Sequence, residues 1–172
     1  VDDAKYLNIY FDDLKINETG VLEIYNEEGD LQLKVDSKNN PKGGLYATHP
    51  IKGSALKLIF KGDTSDSKIS IGEIGYFWKS LNEISSSGFC QVDVNCSEGE
   101  EWENQKNGVV RLLLKTNSSS VYCSGTLMNN TSRDCRPYVL SADHCIDNVS
   151  SDNLKQSFAY FNYENSSCEV EN

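Results

Sequence analysis

All six cysteines of this 172-residue chain lie after residue 89, so the first half must be held together without disulfides. A thiol-free half followed by a cysteine-bearing one marks a compositional boundary, and six cysteines fit an oxidising compartment in which they can pair. The length suits one domain or two small ones, with enough apolar content for a core in each. The reading is two. Residues 1–79 form the first, 80–88 with three consecutive serines form a linker, and 89–172 form the second.

The first half reads as short strands broken by turns. Tyr6-Leu7-Asn8-Ile9-Tyr10-Phe11 opens it, and Val21–Tyr25 and Leu31–Val35 flank a turn of Asn, Glu, Gly and Asp, which predicts a hairpin. Residues 37–44 carry Asn39-Asn40-Pro41 and Gly43-Gly44 and read as a loop. The two-residue period resumes at 56–61 and again at 68–78, where Gly72 suggests a bulge. Five or six such strands without a helical pattern predict an antiparallel β-sandwich. Its acids fall in turns or on outward strand positions, and residues 26–30 lack the ligand count of a calcium loop. No nucleophile is paired with a base in this half.

In the second half, 98–107 is a strongly polar stretch around Trp102 whose acidic residues 98–101 read as a solvated loop, and strands are expected at 109–114, 122–128, 138–140 and 157–163. With the alternating segment at 90–96, about five strands result. The chemistry concentrates at 123–145. Tyr138-Val139-Leu140 leads into Ser141-Ala142-Asp143-His144-Cys145, where an imidazole that can move protons near neutral pH sits beside a cysteine. The chain has only one other histidine, His49, which reads as an ordinary surface or core residue. With two histidines and no CxxC or CxxH spacing, zinc is not expected, and no cofactor is.

Cys-Ser-Gly-Thr-Leu at 123–127, an Asn-rich turn and an apolar strand ending Ser-Ala-Asp-His-Cys resemble the first barrel of the trypsin-like serine proteases. Cys90-Gln-Val-Asp-Val-Asn-Cys96, Glu98-Gly99, Trp102 and Phe161-Asn-Tyr-Glu-Asn-Ser-Ser-Cys168 are similar to the lysyl endopeptidase-like branch. The resemblance covers about 88–172. It implies that His144 is the general base of a Ser-His-Asp triad and that Cys123–Cys145 and Cys96–Cys168 are disulfides, leaving Cys90 and Cys135. A bridge from Cys123 to Cys145 would tie the start of one strand to the end of the next and fix the backbone beside the imidazole. By the same resemblance, loosely, the first half looks like the β-sandwich pro-region of such secreted proteases.

Asp143 adjoins His144 but cannot serve as the triad aspartate if the segment is extended, since neighbouring side chains then point to opposite faces. No serine here has a Gly-Asp-Ser-Gly-like setting. In the resembled family the aspartate and serine follow the histidine by many tens of residues. The expectation is therefore an all-β fragment: a sandwich plus the first barrel of a secreted endopeptidase, inactive alone, acting on protein or peptide substrates with the remainder of its own catalytic domain. The alternative is a secreted adhesion or carbohydrate-binding sandwich. A net charge of −10 and a pI near 4.6 argue against nucleic acid and anionic membranes. No run is long enough to span a bilayer. Val1-Asp2-Asp3 lacks a basic n-region and an apolar h-region, so the chain is expected to start inside a larger precursor. The Asn-x-Ser/Thr triplets at Asn17, Asn117, Asn130, Asn148 and Asn165 are given no role.

Overall fold

The structure, a computed structural model, describes residues 1–79 and 92–168. The chain is all-β and divides into two compact units, Val1–Ser85 and Ser86–Asn172. Among the described residues no helix is long and apolar enough to cross a membrane. The expected linker at 80–88 and Cys90 lie outside the described residues.

The first unit is built on β1 (Tyr6–Lys15). Leu7, Ile9, Phe11 and Leu14 are all buried; the step from 11 to 14 breaks the two-residue period where β1 carries a register shift at Asp12. On one edge β1 pairs antiparallel with two very short strands, β4 (Tyr46–Ala47) and β5 (Ile51–Lys52), and on the other with β7 (Lys68–Phe77). In a second sheet β2 (Val21–Tyr25) lies between β3 (Leu31–Val35) and β6 (Lys57–Lys61), again antiparallel. The two sheets enclose Ile9, Phe11, Leu14, Ile16, Leu22, Ile24, Val35 and Ile51. Burying each of these side chains contributes about 1.5–3 kcal/mol, which explains a stable sandwich with no cysteine.

The hairpin and the bulge at Gly72 are as the sequence implies. Tyr10 pairs with Glu73 and Phe11 with Ile71, so Gly72 is passed over. A Cβ there would stand 2.1 Å from an Asp12 carboxylate oxygen. The unexpected elements are β4 and β5, whose two-residue length leaves no periodicity to read. Asn17, one of the Asn-x-Thr positions, is a clamp: its amide donates to the carbonyls of Asp63 at 2.8 Å and Ser65 at 2.6 Å.

The second unit is a four-stranded antiparallel sheet in the order β10-β9-β8-β11, with β8 Val109–Lys115, β9 Ser120–Met128, β10 Tyr138–Ser141 and β11 Phe158–Phe161. Its apolar cluster comprises Val110, Leu112, Leu114 and Cys145, with Cys123 and Val149 packed against it. Residues 92–96 are not a strand. Asp93 accepts from the Asn95 N–H and its carbonyl accepts from Cys96, so the segment turns instead of extending. The acidic residues 98–101, expected as a loop, lie in a 3₁₀ turn over Ser97–Trp102, and α1 (Glu103–Lys106) follows. Gly99 makes that turn possible, because a Cβ would meet the Val94 carbonyl at 1.8 Å. A short helix, α2 (Ser151–Lys155), was also not expected. Ser150 caps it by accepting from Asn153 N at 3.1 Å, a signal that Ser-Ser-Asp-Asn carries in the sequence.

Candidate functional site

The site grows from the pairing of β8, β9 and β10. Leu112 is registered with Cys123, and Ser141 with Gly125, so β10 ends beside the start of β9. Gly125 permits the close approach: a Cβ there would lie 2.7 Å from Val139 Cγ1 and 3.1 Å from the Leu140 carbonyl. The Ser141 hydroxyl then donates to the Ser124 carbonyl at 2.7 Å, a side-chain tie across the end of the strand pair. The sequence names Ser141 only as part of the motif that leads to His144, and its place three residues before the histidine is the one signal of this tie.

After Ala142 the backbone closes into a 3₁₀ turn over Asp143–Cys145, with Cys145 N donating to Ala142 O at 3.0 Å and Ile146 N to Asp143 O at 2.9 Å. Cys145 is buried and bonded to Cys123, and Cys96 is bonded to Cys168. Cys135 is an exposed free thiol. The bridge anchors one side of the turn in the apolar cluster, while His144 on the same turn faces solvent. Neither ring nitrogen of His144 has a hydrogen-bond partner among the described residues. Asp143 lies in the turn rather than on an extended segment. This corrects the geometric reason for setting it aside; its side chain is exposed to solvent.

His144 and the two sulfurs of Cys123 and Cys145 offer ligand atoms within 4.8 Å of one another. The disulfide consumes both thiolates, so this group provides one donor, too few to hold an ion. The turn can present an exposed imidazole to a substrate or to a hydroxyl brought from elsewhere.

A second network secures the ends of the unit. Asn95 donates to the Asn165 carbonyl at 2.7 Å, Asn165 donates to Asp93 at 2.6 Å, and Lys106 reaches Glu103 at 2.9 Å and Glu164 at 3.2 Å. These contacts surround the Cys96–Cys168 bridge in sequence, so the segment entering the unit is fastened to the one leaving it. The two carboxylates raise the Lys106 pKa, Glu103 more than Glu164. His49, on the turn between β4 and β5, is half-buried, and burial lowers its pKa.

Residues 84–172 match the family model described as "Lysyl endopeptidase, C-terminal domain". A lysyl endopeptidase of Pseudomonas aeruginosa is 28% identical over 132 residues, an alignment covering 68% of this chain and 29% of that protein. The chain thus spans less than a third of the length of the curated relative it matches. No solved structure matches the chain.

Proposed function

This chain belongs to the lysyl endopeptidase family through its C-terminal domain, and from that premise we propose that it is the amino-terminal part of a secreted serine endopeptidase whose general base is His144. His144 takes the proton of a serine hydroxyl as that oxygen attacks the scissile carbonyl, while a buried aspartate holds the other ring nitrogen. Serine and aspartate belong to the remainder of the parent protein. The observation that carries the reading is an exposed imidazole on a turn whose next residue is bridged into β9. Such a bridge fixes the backbone that carries the ring, which a base acting at one oxygen requires.

The surface around the site agrees with a unit that has a partner within the parent. Tyr138, Val139 and Leu140 are 47%, 39% and 62% exposed along β10, beside exposed Leu127 and Met128 on β9. A run of apolar residues on an edge strand is the kind of surface a second part of a catalytic domain would cover. The sandwich of the first unit is then a pro-region-like segment. Two disulfides and the family relation support secretion. The adhesion or carbohydrate-binding alternative finds no support in the family match.

The test is peptide cleavage by this chain, by the longer parent, and by the parent carrying His144→Ala. The parent is expected to cleave, the chain not to, and the substituted parent to lose on the order of a million-fold in kcat, as triads do when the base is removed. Undiminished cleavage by His144→Ala would show that another group is the base.

A further inference from the structure

The one cation of the second unit held by rings rather than by a carboxylate or amide is Arg111, among the described residues. Lys106 has Glu103 and Glu164, Arg136 has Asp134, Lys155 has Asp152, and Lys115 bonds to Gln156. Arg111 instead lies between two tyrosines, its Cζ 3.9 Å from the Tyr122 ring centroid and 4.3 Å from that of Tyr163. Acidic residues outnumber basic ones 26 to 16 in this chain, yet Arg111 is packed on rings and not on an acid.

The alternation of β8 accounts for this placement. Val110, Leu112 and Leu114 point into the apolar cluster, so Arg111 projects from the opposite face of the sheet. There its registered neighbour on β11 is Tyr160, which stacks with Phe158 at 6.2 Å, and Tyr122 reaches it from β9. Both rings lie within cation–π range of the guanidinium, whose N–H donors radiate from its edge. Arg111 remains partly open to solvent and Tyr163 is 48% exposed, so a ligand can approach. A planar fork of donors held against rings matches the two oxygens of a carboxylate.

We propose that Arg111, Tyr122 and Tyr163 form a subsite for a peptide carboxylate, taking an acidic side chain of a bound polypeptide. The choice of a peptide as the ligand rests on the endopeptidase reading; the carboxylate chemistry rests on Arg111 itself. The rings do two things for binding. They remove the entropy cost of ordering a long side chain, and they lower the local dielectric so that the ion pair is stronger than an exposed one.

The experiment observes the Arg111 side-chain N–H signal by NMR in the 172-residue protein at low ionic strength, where a solvent-facing ion pair is least screened. The probes are an acetylated, amidated peptide with a single glutamate, the same peptide with glutamine, and inorganic phosphate. The glutamate peptide is expected to shift the signal saturably and the glutamine peptide not to. Arg111→Lys should abolish saturable binding, and Tyr163→Leu should weaken it about tenfold, the order of one cation–π contact. Because Tyr163 is half-exposed, that variant keeps the test decisive even if Arg111→Lys fails to fold. Equal shifts with glutamine, tighter binding of phosphate, or no effect of Tyr163→Leu would each overturn the subsite. Binding that persists while the parent proves not to be a peptidase would sink the functional reading alone, and lost binding in an active parent would sink only the subsite.

Discussion

Glu23 is a carboxylate on the outward side of β2, between core residues Leu22 and Ile24, yet only 5% of its surface is exposed. Lys61 at 2.8 Å and Lys34 at 3.3 Å cover it from the two neighbouring strands, and the Tyr25 hydroxyl donates to it from the same strand. The Lys61 contact, then the Tyr25 hydroxyl and Lys34, push its pKa down to about 2 from 4.5. A folded pKa below the unfolded one means that the ionised group stabilises the fold fully above about pH 4.5, and that this is lost as pH falls toward about 2. Glu23→Gln should therefore lower the thermal midpoint of the first unit at neutral pH, with the gap to the parent closing between about pH 5 and 2. A gap that stays constant across a pH series of melting curves would locate the effect in packing instead of charge. The acid was legible in the sequence as an outward strand position. Its burial depends on Lys61 and Lys34 arriving from strands more than ten residues away.

At the scale of elements, most strands could be read from alternation, and their pairing could not. β2 and β3 share a turn, so their hairpin is local; β1 and β7 are separated by more than fifty residues and are joined by their antiparallel backbone register, while Ile69, Ile71 and Ile74 of β7 stay exposed. The two-residue β4 and β5 exist because β1 offers them an edge. The β9–β10 contact has a sharper requirement. Gly125 needs no special backbone angle; it is small because β10 passes over it. Gly125→Ala should cost about 1–3 kcal/mol, the usual penalty for forcing an extra methyl into a packed site. It should also shift β10 and with it the His144 turn. Thermal unfolding of this chain measures the first effect, and cleavage by the parent measures the second. An unchanged midpoint would mean that Val139 has room to move.

At the scale of the molecule, the cysteine boundary has a physical consequence. The described part of the first unit is held by one apolar cluster and contains no cysteine, whereas the second has a small cluster and bridges spanning 72 and 22 residues of sequence. Closing loops of that size removes roughly 4 and 3 kcal/mol of unfolded-state entropy in the chain-entropy account. A reductant should therefore lower the unfolding midpoint of the second unit and leave the first unchanged. Cleavage within 80–88 should release two pieces that retain these separate responses. A single transition that shifts as a whole on reduction would contradict two independent units. The sequence by itself determined the all-β character, the division marked by cysteine, and the stretch from Cys123 to Cys145, because strand alternation, thiol count and short motifs are properties of neighbouring residues. Only the tertiary structure decided that Glu23 is covered by two lysines, that Ser141 ties β10 to β9, and that Arg111 rests between two tyrosines. Each of these depends on side chains brought together from separate strands, and the distances that create them arise only when the sheet closes.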